Sequence, residues 1–162
     1  MVRKMAFLLL IIFYSQTYSQ KCDLKFSASV GLSRTILDDG CGINLAINSY
    51  KKITSKFYFE AQVSSIWTKI NSSFLEGNQG NIYSVNFLAG LNYYFISKKP
   101  IVYFNFLTGL SYSNERINSS KNYEIVDLGV FTGIFLKLKK TLIGFGLESP
   151  QNIVIRFGYN LE

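Results

Sequence analysis

Residues 83 to 95 read Tyr-Ser-Val-Asn-Phe-Leu-Ala-Gly-Leu-Asn-Tyr-Tyr-Phe. Tyr83, Val85, Phe87, Ala89, Leu91, Tyr93 and Phe95 are apolar or aromatic, and Ser84, Asn86, Gly90 and Asn92 between them are small or polar. Successive side chains of a β-strand point to opposite faces, so a period of two predicts a strand with one greasy face and one wet face.

The same rhythm recurs on both sides. Leu24, Phe26, Ala28, Val30 and Leu32 alternate with Lys25, Ser27, Ser29, Gly31 and Ser33; Phe57, Phe59, Ala61, Val63 and Trp67 alternate with Tyr58, Glu60, Gln62 and Ser64. Further on, Val102, Phe104, Phe106, Thr108, Leu110 and Tyr112 stand against Asn105, Gly109, Ser111 and Ser113. Val126, Leu128, Val130, Thr132, Ile134, Leu136 and Leu138 stand against Asp127, Gly129, Gly133 and Lys137. Ile153, Ile155, Phe157, Tyr159 and Leu161 stand against Arg156, Gly158 and Asn160. Two more segments, 42–50 (Ile43, Leu45, Ile47) and 141–148 (Ile143, Phe145, Leu147), complete a set of eight.

The connections alternate in length. Strands two and three, four and five, and six and seven are joined by tight turns holding Lys51-Lys52, Lys98-Lys99 and Lys139-Lys140. On the other side run longer polar loops over 34–41, 68–81 and 114–122, with a short one near 149–152. An even number of antiparallel strands about ten residues long, with short turns on one rim and longer loops on the other, is the plan of a small membrane barrel.

The start of the chain supports export. Arg3 and Lys4 precede an apolar run from Met5 to Tyr14, and Thr17-Tyr18-Ser19 precedes Gln20. The run is shorter than the roughly 20 apolar residues a spanning helix needs, and the order of charge, apolar run and small residues is that of a signal peptide. The expected division is therefore a signal peptide over 1–19 and one barrel domain over 20–162. Any membrane residence must then come from strands, because only helices and closed barrels satisfy their backbone groups in lipid.

Alternation leaves open which face is outside. The interior of an eight-stranded barrel is just wide enough for side chains, so the face rich in Gly, Ser and Asn suits the inside. Leu88, Tyr94, Leu107, Phe131 and Phe135 fall on that face and are expected to fill the lumen beside its glycines. Height gives a second argument: Phe26, Phe57, Phe59, Tyr93, Phe95, Phe104, Phe157 and Tyr159 fall near the lysine-turn end, and Trp67, Tyr83 and Tyr112 near the other. Two aromatic belts around an aliphatic band are the mark of membrane interfaces.

On these residues the mature chain resembles the small, porin-like eight-stranded outer-membrane β-barrel proteins of bacterial cell envelopes. Phe157, Tyr159 and Leu161 resemble the alternating ending that barrel-assembly machinery recognises in that family. The resemblance implies an all-β, eight-stranded antiparallel up-and-down transmembrane barrel, integral to the bacterial outer membrane, with the membrane's lipids and the assembly machinery as partners.

The formal net charge is +7, but the cations sit in turns and loops and form no basic aromatic platform, which argues against nucleic acid. The polar face carries Lys25, Glu60, Asp127, Lys137 and Arg156, which in so narrow a lumen must pair or keep water. By height Arg156 or Lys25 is the expected partner of Glu60, with Asp127 and Glu148 nearer the outer mouth. Cys22 and Cys41 fall at opposite ends of one hairpin, about 25 Å apart, beyond disulfide reach in this topology. There is no histidine, which excludes a Ser-His-acid triad and disfavours ordinary zinc or copper sites; no phosphate-binding glycine loop is present. No cofactor is expected.

The leading functional expectation is a filled barrel with a structural or surface-binding role and no catalysis. Its extracellular contacts would run through loops 34–41, 68–81 and 114–122, the longest carrying Phe74 and Leu75 at an apolar tip. A narrow pore or transporter for small or apolar solutes is the first alternative, and a soluble exported lipocalin-like barrel holding a hydrophobic ligand the second.

Overall fold

A computed structural model describes residues 24–36, 40–71, 79–96, 99–117, 121–150 and 152–161. The expected signal peptide, Cys22, and Phe74 with Leu75 lie outside these residues. The chain forms eight strands: β1 (Leu24–Thr35), β2 (Gly40–Lys52), β3 (Phe57–Asn71), β4 (Gln79–Ile96), β5 (Ile101–Ile117), β6 (Lys121–Leu138), β7 (Thr141–Glu148) and β8 (Asn152–Asn160). Each pairs antiparallel with its neighbours in sequence, and β1 pairs with β8, from Ser27 opposite Asn160 to Thr35 opposite Asn152, closing the barrel. Among the described residues there is no helix.

The period-two reading explains the closure. On β2, Ile43, Leu45 and Ile47 are exposed while Asn44, Ala46, Asn48 and Tyr50 are buried. On β7, Ile143, Phe145 and Leu147 are exposed while Leu142 and Glu148 are buried. In water such a surface would drive aggregation, whereas against acyl chains it needs no cover. Trp67 and Tyr83 stand opposite each other on β3 and β4 near one end of the outer face, and Phe57 and Tyr93 stand opposite each other near the other, with ring centroids 5.1 Å apart. From Phe59 to Trp67 the strand climbs about 26 Å, or about 20 Å along the axis of a barrel tilted by some 40°, close to the height of a membrane barrel's apolar band.

The inward face is built from small and polar residues interrupted by a few large ones. Leu88, Tyr94, Leu107, Phe131 and Phe135 all turn inward and, with Tyr103, Leu142 and Val154, form the buried apolar cluster; Leu107 and Phe131 are 0 % exposed. Glycines make the room. A Cβ on Gly144 would run into the Phe135 ring, and one on Gly146 or Gly133 would press against Phe131. Bulk on one strand is thus matched by its absence on the next.

The turn at Lys139-Lys140 falls as expected, but Lys51 and Lys52 are still paired in β2 and the turn that follows them runs over 53–56, while Lys98 lies outside the described residues. Lys139-Lys140 forms a two-residue hairpin between paired Leu138 and Thr141, with Lys139 at φ 54°, as a right-twisted hairpin demands. At 53–56, the amides of Ile53 and Thr54 donate to the Phe57 carbonyl, and Thr54 Oγ1 accepts from the Phe57 amide at 3.1 Å.

The opposite rim differs from the sequence reading. At least half of each segment expected as a loop at 34–41, 68–81 and 114–122 is strand: Arg34 pairs with Cys41, Lys69 with Asn81, and Arg116 with Asn122. The strands end at Thr35, Asn71 and Ile117 and resume at Gly40, Gln79 and Lys121. Polar composition marks where the hydrocarbon ends, but the backbone ladder continues into water because its hydrogen bonds still form there. The wall is also uneven, since β4 and β6 have 18 residues each and β7 only 8.

Candidate functional site

The lumen holds a polar hub built on β8. Arg156 is 1 % exposed, and its stem leaves the wall where Gly144 stands opposite it on β7 and Gly31 on β1. The side chain climbs toward the outer end. Its Nη2 meets Glu148 Oε2 at 2.5 Å, Nε donates to Asn44 Oδ1 at 2.7 Å, and Nη1 donates to Gln62 Oε1 at 2.8 Å. The guanidinium also lies 4.3 Å from the centre of the Phe131 ring, whose face attracts cations.

Glu148 is satisfied from several sides. Asn44 Nδ2 donates to it at 2.8 Å, Asn86 Nδ2 at 3.1 Å and Gln62 Nε2 at 3.2 Å, and the Ser64 hydroxyl donates too. A buried ion pair is tolerable when its remaining lone pairs and protons find partners, which is the condition met here.

Below the hub, toward the lysine turns, Glu60 is buried and accepts from the side-chain amides of Asn48 and Asn92. Asn48 also donates to Gln62 at 3.1 Å, so the two carboxylates and Arg156 belong to one network. Still lower, aromatic rings cross the lumen. Tyr58 and Tyr94 stand 4.4 Å apart, Tyr94 and Tyr103 stack at 4.9 Å, Tyr103 and Phe135 stack at 5.3 Å, and Phe135 meets Phe131 at 5.9 Å. Rings and amides together fill the cross-section.

The expected lumen charges therefore separate into three groups. Glu60 and Arg156 are buried in the network, though Arg156 pairs with Glu148 and reaches Glu60 only through Gln62 and Asn48. Lys25 and Lys137 are half-buried at the lysine-turn mouth. Asp127 is exposed, outside the enclosed lumen: β7 ends at Glu148, which pairs with Phe131, so Asp127 stands four residues beyond the last β6–β7 pair. There its Oδ1 accepts from the Leu128 amide at 2.7 Å. Cys41 is exposed on β2.

Sequence reading passed over Asn44, placed Gln62 and Asn86 on the wet face without giving them a role, and set Glu148 apart from Arg156. Strand parity points all four inward. Counting register up from the Lys139-Lys140 turn places Glu148 beside Phe131, within reach of a long side chain from Gly144's level.

On the outside, above the Trp67 and Tyr83 belt, one register row links Arg34, Cys41, Lys69, Asn81, Arg116 and Asn122 across six strands. Its three cations are exposed and stand two strands apart, about 10 Å. They form a cationic row on the outward face, beyond the Trp67 and Tyr83 pair.

No protein-family model matches the chain, and no curated protein matches it in sequence. Solved structures do match. Ail, the attachment invasion locus protein of Yersinia pestis, in complex with the heparin analogue sucrose octasulfate, aligns at TM-score 0.57 and 13 % identity, covering 85 % of this chain and 94 % of that one. Ail in a second crystal structure aligns at TM-score 0.56 and 14 % identity over the same shares. Neisserial surface protein A aligns at TM-score 0.45 and 15 % identity, covering 85 % and 94 %. The Ail likeness is one of fold. The molecule is an eight-stranded β-barrel of the outer-membrane type, and the apolar band and aromatic belts it turns outward are those of an integral bacterial outer-membrane protein.

Proposed function

We propose that this barrel acts through its outer rim, as an envelope scaffold and binding surface for anionic partners, without passing solutes and without catalysis. The observation that carries this reading is the filled lumen: the Arg156–Glu148 hub and the ring stack occupy the cross-section, so what faces outward is left to do the work. The cationic row of Arg34, Lys69 and Arg116 supplies the chemistry, three positive side chains in register on the outward face beyond the aromatic pair, available to sulfate or phosphate groups of a glycan or outer-leaflet lipid. The Ail complex with a sulfated sugar makes sucrose octasulfate the first ligand to try. The mature chain is taken as residues 20–162, released from a signal peptide over 1–19.

Two measurements test this. Protein inserted in a planar bilayer should give no steady current, and a stable conductance would favour the narrow-pore reading. Sucrose octasulfate should bind the folded barrel in detergent, and Arg34→Gln, Lys69→Gln and Arg116→Gln together should weaken it by about tenfold or more, since each 1.4 kcal/mol of lost attraction is a factor of ten. Unchanged binding in the triple variant would refute the role of the row.

A further inference from the structure

On one side β6 stands taller than the strand beside it. Its pairing with β5 runs up to Lys121 opposite Ile117, but its pairing with β7 ends at Phe131 opposite Glu148. Just beyond, the Val130 carbonyl accepts from the Ser149 amide at 2.9 Å, and the Val130 amide donates to Ser149 Oγ at 2.9 Å. Both backbone groups of Val130 thus turn toward β7. In a strand the groups of every second residue face the same neighbour, so those of Leu128, Val126 and Glu124 turn to that side too. Among the described residues no strand stands there. Asp127 Oδ1 accepts from the Leu128 amide at 2.7 Å, which leaves the Leu128 carbonyl and both groups of Val126 and Glu124 along an open edge. From Tyr123 to Leu128 every residue is exposed whichever way its side chain points, Val126 at 71 % and Leu128 at 65 %. One register row joins Glu124 to Asn114, Tyr83 and Trp67, which sets this edge at the aromatic pair and beyond it, where water begins.

We infer that this edge is a docking site for an extended, basic segment of a partner polypeptide, which adds to the sheet as a strand alongside β6. A row of backbone donors and acceptors held in strand geometry is a template for a further strand, and the ladder it forms supplies affinity while the side chains set the choice of guest. Those side chains describe the guest. Glu124 points outward and Asp127 inward, both exposed, so a strand laid beside them is favoured by a cation opposite each. Val126 and Leu128 on the outer face and Ile125 on the inner face are exposed apolar residues, and apolar residues opposite them would remove that surface from water. A second copy in the same membrane is the wrong guest. Strands tilted by some 40° and related by a twofold axis along the membrane normal cross at about 80°, which no ladder spans, and the pairing would set Glu124 and Asp127 against their like.

The probe is the peptide acetyl-Thr-Val-Arg-Val-Val-Arg-Thr-amide, which, run antiparallel, sets arginines opposite Glu124 and Asp127 and valines opposite Ile125, Val126 and Leu128. It is titrated onto the full folded barrel in phosphatidylcholine nanodiscs, whose lipid carries no net charge to attract it. Saturable binding of one peptide per barrel is expected. Methylating the amides of its second and fourth residues, which face β6, should weaken binding by about tenfold or more, while methylating those of the third and fifth, which face away, should change it less than about twofold. Both peptides keep the same charges, so the difference reads the ladder alone. Val126→Pro removes an amide on the open edge without touching a bond to β5 and should weaken the unmodified peptide by about tenfold, with folding verified by the heat-dependent gel shift; if that variant does not fold, the methylated pair on the native barrel decides. Arg34→Gln, Lys69→Gln and Arg116→Gln together should not weaken the peptide, which separates this edge from the cationic row. Absence of saturation, equal weakening by the two methylated peptides, or undiminished binding to folded Val126→Pro would overturn the site.

Discussion

Replacing Arg156 with Met removes the hub while keeping a long apolar stem beside Gly31 and Gly144. Three charge-assisted contacts and one ring contact disappear. Taken singly, hydrogen bonds to charged groups contribute about 1.5–3 kcal/mol and a desolvated cation–ring contact about 2 kcal/mol, but such terms do not add. The binding constraint is the charge left behind, because stranding one member of a buried pair costs about 3–5 kcal/mol. Glu148 keeps its donors from Asn44, Gln62, Asn86 and Ser64, which places the loss at the lower end, about 3 kcal/mol.

Glu148→Gln alone should cost a similar amount by stranding Arg156. The double variant removes both charges, so it should cost much less than the sum, with a coupling of about 2 kcal/mol or more. The assay is urea unfolding of barrels in lipid vesicles, followed by the fluorescence of Trp67, the chain's one tryptophan, and by gel mobility with and without heating. An unchanged midpoint for Arg156→Met, or strictly additive single variants, would refute the assignment of the hub as the element that holds the lumen together.

Three further outcomes follow from the structure. Gly144→Ala should lower stability by about 1–3 kcal/mol through overpacking against Phe135, and Phe135→Leu in the same chain should restore part of it; equal stability of both single and double variants would contradict the packing described. Trp67 is 64 % exposed on the outer face, so brominated lipids should quench it most when bromine lies near the head group and least at the acyl end; the reverse order would move the upper belt. Asn71 and Gln79 pair directly, so exchanging residues 72–78 for Asn-Gly should preserve membrane insertion, read by the heat-dependent gel shift, and loss of insertion would show that this connection is structural.

Strand number, order and facing were legible because parity is binary: Val63 and Trp67 must be on one side if Gln62 and Ser64 are on the other. Even the misfits Leu88 and Phe131 obeyed it, with Gly109 opposite Leu88 and Gly133 and Gly146 beside Phe131 leaving room for the bulk. Two things were less visible. Where strands end was misjudged at Arg34, Lys69 and Arg116, since polarity reports the membrane boundary and not the end of pairing. Partners within the lumen were misjudged too, because Cα height is a poor guide to a side chain as long as arginine's: Arg156 leaves the wall beside Gly144 and works beside Phe131.

The pairing of β1 with β8 has a consequence for biogenesis. The first and last strands clasp each other, so no cylinder exists until β8 has been delivered, and a barrel lacking it exposes two unsatisfied backbone edges to hydrocarbon. Arg156 rides on that last strand. Glu148 and the amides around it therefore wait for their cation until the moment of closure, which ties neutralisation of the interior to completion of the wall. Such long-range zippering is slow by nature, because the entropy of closing so long a loop is lost before the contacts that reward it can form.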